Sequence, residues 1–280
     1  MKTTFKTILA PTDFSDAATN AIHYAAELAK LTQAKLVLFH TYYAPHLITD
    51  LTVVVPTVQE QLDGYIQVLN KQKKNLQLTY GNDLKVDVVC EEGFASVEIE
   101  RYAKEHAVDL IVMGMKGLGR VAERLFGSNT TTMIEKGICP VLVIDETVKF
   151  KQIKNVVLAS DYVKLQHQRE LLAPLKNMVD LFDAHVYILN IVPNLRAVTS
   201  VDQAIAGIEL NHVLDETPHT FHQYQHTDIA MGIRSFTEEY KIDLIVLIPH
   251  DHSFFSKLFN EPITKQLAFH TQLPLLAIHS

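Results

Sequence analysis

Cysteine is scarce in this chain: Cys90 and Cys139 are the only two, with neither CxxC spacing nor a second pair. That excludes a disulfide framework or a cysteine-rich metal ribbon, and both residues read as packing groups within or leading into strands. Long apolar runs are missing too. No stretch approaches the roughly 18 uninterrupted apolar residues of a membrane helix, and Met1 to Leu9 carries lysines without the apolar core of a signal peptide. The expected compartment is the cytoplasm. The net charge is −7 and the lysines are scattered rather than striped, so neither nucleic acid nor a membrane surface is an expected partner. Low-complexity tracts are absent, while 48% of residues are apolar and 20% charged, the balance of a soluble globular protein. A length of 280 residues exceeds the usual single core of about 100–200 and favours two domains.

What is present is an alternation of short apolar runs with longer amphipathic stretches, the pattern of a parallel sheet covered by helices on both faces. In the first half the expected strands are Thr7–Ala10, Lys35–His40, Leu84–Cys90, Leu110–Gly114 and Val141–Ile144. Between them, Ser15 to Leu31 places Ala18, Ile22, Ala25, Ala26 and Ala29 on one helical face. Pro56 to Leu78 begins with a helix-compatible proline, and Ser96 is the expected cap of a helix running to about His106. The second half repeats the order with strands Ile153–Ala159, His185–Asn190, Pro218–Gln225, Leu244–Ile248 and Leu275–Ile278.

The two halves also match in sequence. Asp109 to Met113 aligns with Asp243 to Leu247, and Cys139 to Ile144 with Leu273 to Ile278, both at an offset of 134 residues. One offset shared over that span points to duplication. The expected division is residues 1–146 and 151–280, with a polar linker around Asp145–Gln152. The fold class is therefore α/β, as two tandem, doubly wound, Rossmann-like domains with five-stranded parallel sheets.

After the fourth strand of the first half comes Gly114-Met-Lys-Gly117, then nine residues, then Gly127-Ser-Asn-Thr130 at an expected helix start. Glycines after a strand let the backbone approach a ligand and point amides at phosphate oxygens. Ser128 and Thr130 add hydroxyl donors at a helix N-terminus, whose partial positive charge favours an anion. The order lacks the Gly-Lys-Ser/Thr of a Walker A loop and the Gly-x-Gly-x-x-Gly of a dinucleotide fold. Lys116, Arg120 and Arg124 lie in or beside the loop as solvated cations able to screen phosphate charge. In an open α/β sheet this loop and Asp13, at the end of the first strand, would meet at the switch point where ligands bind. Asp13 also suits the N-cap of the first helix.

This Gly-x-x-Gly, nine residues, Gly-Ser/Thr spacing resembles the ATP-binding members of the universal stress protein family. So do Ala10-Pro-Thr-Asp13-Phe-Ser15 and Cys139-Pro-Val-Leu-Val. The likeness covers the first 145 residues or so well and the second half only in its framework. It implies an adenine nucleotide alpha hydrolase-like fold with ATP, with or without Mg2+, as ligand. Asp13 would meet the adenine or ribose, Thr41 would lie beside the base, and Gly114, Gly117, Gly127, Ser128 and Thr130 would hold ribose and phosphates. Thr41 departs from the family, which often has an apolar residue there. The resemblance further implies domains docked through their last strands, here Val141–Ile144 and Leu275–Ile278, as an intrachain pseudo-dimer. It also implies a regulatory role in stress with an unidentified protein partner, and a homodimer is open.

At the same offset the second half puts Ile248, Asp251, Glu261 and Pro262 opposite Gly114, Gly117, Gly127 and Ser128, with Thr264 opposite Thr130. A carboxylate repels phosphate and a proline removes an amide, so no second nucleotide site is expected. Ten of the fourteen histidines fall in this half, among them His219, His222, His226, His250 and His252. His250 and His252, near Asp161, have metal-ligand chemistry, but scattered solvent-facing histidines are the simpler reading and no metal is expected. His222 and His226 would share one face of an edge strand. No catalytic constellation is evident beyond Asp13 and the hydroxyls, so any ATP hydrolysis would be slow. A regulatory module that binds no nucleotide, or an enzyme that uses one, are the alternatives.

Overall fold

The computed structural model describes residues 5–43, 57–115, 128–159, 168–192, 201–248 and 272–278. The first half runs β1 (Thr7–Pro11), α1 (Asp16–Thr32), β2 (Lys35–Tyr42), α2 (Val58–Tyr80), β3 (Val86–Glu92), α3 (Ala95–Glu105), β4 (Leu110–Gly114), α4 (Ser128–Lys136) and β5 (Val141–Ile144). The second runs β6 (Asn155–Ala159), α5 (Gln168–Leu171), α6 (Ala173–Phe182), β7 (His185–Val192), α7 (Val201–Val213), β8 (His219–Gln225), α8 (Ile229–Glu239), β9 (Leu244–Leu247) and β10 (Leu275–Ala277).

The strands form one ten-stranded sheet in the order β3-β2-β1-β4-β5-β10-β9-β6-β7-β8. Neighbours within each half are parallel. The two five-stranded parallel sheets are thus joined edge to edge into one. β5 and β10 join antiparallel, with Val143 opposite Leu275, Leu142 opposite Leu276 and Val141 opposite Ala277. These residues are almost wholly buried, so the junction removes two apolar edges from water.

Alternation along the strands loads both faces of the sheet. Ile8, Ala10, Leu36 and Leu38 pack with the alanine-rich face of α1 and with Leu69 and Leu76 of α2; Leu175, Met178 and Val179 of α6 and Leu210 of α7 continue that layer. Leu9, Val37 and Phe39 pack on the opposite face with Ile99 of α3, Met133 of α4 and Phe236 of α8. An edge-to-edge antiparallel junction amounts to a half-turn about the sheet normal, which is why corresponding helices of the two halves share a face.

Backbone detail repeats with the strands. The Asp109 carboxylate accepts from the amides of Lys6 and Thr7, each at 2.8 Å, and that of Asp243 accepts from Lys154 and Asn155 at 2.9 and 3.1 Å. Left-handed residues follow matching helices, Gln33 with Asp183 and Ala107 with Lys241. Side-chain capping sets several helix starts. The Ser15 hydroxyl accepts from the Ala18 amide, and Asp228 does the same for Met231. At α2 the start is a reciprocal capping box between Thr57 and Glu60; Pro56 lies outside the described residues. Ser96 is not a cap. It lies inside α3, whose N-cap position is Phe94, without a side-chain acceptor. Among the described residues no helix is long and apolar enough to cross a membrane.

The connection between β5 and β6 is tied down from both sides. Asn20 of α1 donates its amide to the carbonyls of Asp145 (2.9 Å) and Val148 (2.8 Å), while the Lys149 ammonium donates to the Asn20 carbonyl. Phe150 bridges Tyr24 of α1 and Phe182 of α6, with ring centroids 5.0 and 6.0 Å away. Replacing Asn20 by Ala removes the side-chain donor from both carbonyls, of which that of Asp145 keeps the Val148 amide. Asn20→Ala is expected to lose about 1–3 kcal/mol in chemical denaturation, and a change under about 0.5 kcal/mol would show that the tie contributes nothing.

Candidate functional site

The carboxyl ends of β1, β2 and β4 open onto a cleft of about 220 Å³. Its walls bring together Asp13, Thr41, Gly114, Ser128 and Thr130, along with Thr12, Phe39, His40, Ala95, Ile99, Met113 and Asn129. Gly117, Gly127, Lys116, Arg120 and Arg124 lie outside the described residues. Sequence reasoning missed Asn129, although it sits inside the Gly127-to-Thr130 string. It also missed Ala95 and Ile99, which no local motif marks because the tertiary packing of α3 delivers them.

Three helices present first-turn residues to this cleft: Ser15, Ala17 and Ala18 from α1, Ala95 from α3, and Ser128 and Asn129 from α4. α3 begins without a side-chain acceptor for its leading amides. Amides left without intrahelical partners, together with the helix dipoles, make the rim electropositive. The spacing of α3 and α4 is supported by an ion pair between Glu100 and Lys136, with Lys104 also on Glu100. Hydrogen bonds from Lys104 and Lys136 hold the Glu100 carboxyl down at about 2.

Gly114 and Thr130 each have a packing role at this cleft. Gly114 does not use a left-handed φ. A Cβ there would stand 2.6 Å from the Ala17 carbonyl carbon and oxygen and 2.9 Å from the Ala18 nitrogen. Glycine is required because the first turn of α1 rests on the end of β4. Thr130 is 3% exposed, and its hydroxyl donates to the Gly114 carbonyl at 3.2 Å. Its single proton is engaged in tying α4 to β4, leaving the exposed Ser128 as the better hydroxyl donor.

Asp13 is exposed on the turn between β1 and α1. One carboxylate oxygen accepts from the Ser15 amide at 3.0 Å, an Asx turn; the N-cap itself is Ser15. Thr41 is half-buried on β2, opposite Glu91. The cysteines stay as thiols. Burial pushes Cys90 to about 11 and Cys139 to about 12.

Among the described histidines of the second half, His185 and His222 share the Thr220 hydroxyl, at 2.9 and 3.0 Å. β8 is the sheet edge, and it ends before His226, whose Nδ1 instead accepts from the Asp228 amide at 2.9 Å. His222 packs against Tyr187, Phe236 and Tyr240, and His219 bonds the Thr217 carbonyl and Asn211. Among the described residues no group of three or more His, Cys, Asp or Glu side chains is placed to hold a metal. Asp161, His250, Asp251, His252, Glu261, Pro262 and Thr264 lie outside the described residues.

A profile of the universal stress protein family matches residues 4–145. Universal stress protein MJ0577 of Methanocaldococcus jannaschii is 28% identical over 157 residues, covering 51% of this chain and 97% of that protein. Universal stress protein Sll1654 of Synechocystis is 33% identical over 146 residues, covering 50% and 85%. A universal stress protein from Archaeoglobus fulgidus superposes with a TM-score of 0.68 over 98% of both chains at 16% identity, a likeness of fold.

The steric fit at Gly114 yields a check that needs no ligand. Gly114→Ala forces α1 away from β4 and is expected to cost about 1–3 kcal/mol by thermal or chemical denaturation. Unchanged stability would show that the helix can withdraw freely.

Proposed function

This chain belongs to the universal stress protein family, and from that premise we propose that its first half is an adenine-nucleotide sensor binding one ATP per chain in the cleft at the ends of β1, β2 and β4. The observation that carries the reading is the convergence of an acceptor on one side and helix starts on the other. Asp13 suits the hydroxyls of a ribose or the amine of a base. The amides at the starts of α3 and α4, the Ser128 hydroxyl and the backbone at Gly114, Gly117 and Gly127 suit phosphates. A carboxylate repels a phosphate chain, so the nucleotide runs from Asp13 and Thr41 towards α4, with Thr130 fixing α4 rather than donating to phosphate. Bound Mg2+ would supply charge neutralisation on the phosphates.

The division into 1–146 and 151–280 gives the halves different work. Ile248 stands where the first half has Gly114, and Glu261 and Pro262 stand where it has Gly127 and Ser128. The second half therefore serves as a docked framework and partner surface, joined through β5 and β10 as an intrachain pseudo-dimer. The whole acts in the cytoplasm as a nucleotide-dependent regulator of a stress response. No base or metal-holding acid pair is proposed, and turnover with Mg2+ should stay well under about 1 per second, the lower end of usual enzyme rates.

Calorimetric titration of ATP into the intact chain tests this directly. Saturable binding at one site is expected, weakened at least about tenfold by Gly127→Glu, which is about 1.4 kcal/mol. Absence of binding to the unaltered chain would overturn the reading in favour of an interaction module. Binding that Gly127→Glu leaves intact would move the site elsewhere.

A further inference from the structure

His40 of β2 is buried at 9% exposure, and the nucleotide reading assigns it no task. Its Nδ1 lies 2.7 Å from the Thr12 carbonyl oxygen. A carbonyl only accepts, so Nδ1 carries the hydrogen and donates it. Burial lowers the tendency of this ring to charge, opposed by the Thr12 carbonyl and by Asp13, and the ring stays neutral at pH 7.

The bonded carbonyl opens the turn that carries Asp13. Within that turn the Phe14 amide donates to the Thr12 hydroxyl and the Ser15 amide to the Asp13 carboxylate, both at 3.0 Å, while the Thr12 amide donates across to the Phe39 carbonyl at 2.8 Å. Phe14 is held at a φ of 65°, a left-handed conformation that a bulky residue adopts rarely. Something must over-determine it. Its ring lies 4.5 Å from that of His40 and, nearly parallel at 6°, 6.3 Å from that of Tyr65 on α2; His40 and Tyr65 are 4.6 Å apart. His40 thus meets the turn twice, by a hydrogen bond at its first residue and by ring packing at its third.

We propose that His40 is a positioning residue that locks the Thr12-to-Ser15 turn, so that the Asp13 carboxylate is presented to the cleft before any nucleotide arrives. The second clause rests on the assignment of Asp13 to the ligand; the lock itself does not. A ring that merely filled core space would be replaceable by an apolar side chain, whereas a lock needs an N–H at the Nδ1 position. Asn supplies one there and Leu does not.

The test uses the intact chain and two readouts. In the ligand-free protein, His40→Leu should speed hydrogen exchange of the Phe14 and Ser15 amides on the order of tenfold, with His40→Asn close to the unaltered chain and the β2 amides Leu36 and Leu38 unmoved in both. Equal exchange at Phe14 and Ser15 in all three proteins overturns the lock, as does a loss spread evenly through β2. In ATP titration, His40→Leu should weaken binding on the order of tenfold when Asp13 is present, yet by less than about threefold in the Asp13→Ala background. Equal effects in both backgrounds overturn action through Asp13. If the unaltered chain binds no ATP, the nucleotide reading falls, and the exchange comparison decides the role of His40 alone.

Discussion

Everything in this molecule is arranged around the antiparallel seam between β5 and β10. The strands that meet there, Val-Leu-Val-Ile and Leu-Leu-Ala, carry no polar side chain and are buried on both faces. Either strand alone would be an exposed, flat, apolar edge, the kind of surface that recruits other chains. Paired, they form the centre of a continuous sheet and leave β3 and β8 as its edges. The seam also sets direction. Because it inverts the second half, the carboxyl ends of β1, β2 and β4 open on one rim and those of β6, β7 and β9 on the opposite rim. Alongside the sheet, Phe150 links Tyr24 of α1 in the first half to Phe182 of α6 in the second.

Most of this was legible in the sequence because periodicity reports burial and burial is what the sheet imposes. The strand runs and the matching segments at one offset mark the elements and the duplication without reference to contacts. The first two helices lie close to where the sequence put them, although Ser15 rather than Asp13 caps α1 and a Thr57–Glu60 box, not read from the sequence, opens α2. The reading failed where the end of an element is fixed by the fold. Ser96 looks like a cap by type, yet α3 starts one residue earlier at Ala95, because β3 ends at Glu92 and Gly93 turns the chain with its amide bonded to Tyr42. His226 failed similarly. Alternation put it on a strand, but its ring nitrogen accepts an amide in the turn that follows.

The site shows the same division. Residue types named the chemistry: a carboxylate after the first strand, glycines after the fourth, hydroxyls at a helix start. What they could not convey is how each atom is engaged. Thr130 has the right hydroxyl in the right place, but its one hydrogen is directed at the Gly114 carbonyl. Gly114 has the right absence of a side chain for a different reason, the backbone of α1 lying within 2.6 Å of where a Cβ would be. Both tie α1 and α4 to the end of β4. That packing brings two helix starts to one rim.

That distinction bears on how the second half differs. If Gly114 served the ligand alone, its counterpart Ile248 would alter only the ligand's surroundings. Ile248 is instead buried at 4% exposure in the layer containing α6 and α7, so a branched side chain occupies space at the end of β9 where the first half admits helix backbone. The first helical region of the second half also differs. In place of the continuous seventeen residues of α1 stand two pieces, α5 and α6, parted at Leu172 with Pro174 in the first turn of the second. Proline lacks the amide a continuing helix would use, and its ring disfavours helical backbone at the residue before it. The tight strand-to-helix contact that organises the cleft rim is thus changed on the strand side, at Ile248. The divergence of the second half therefore reaches the packing beneath its loop as well as the residues of the loop itself.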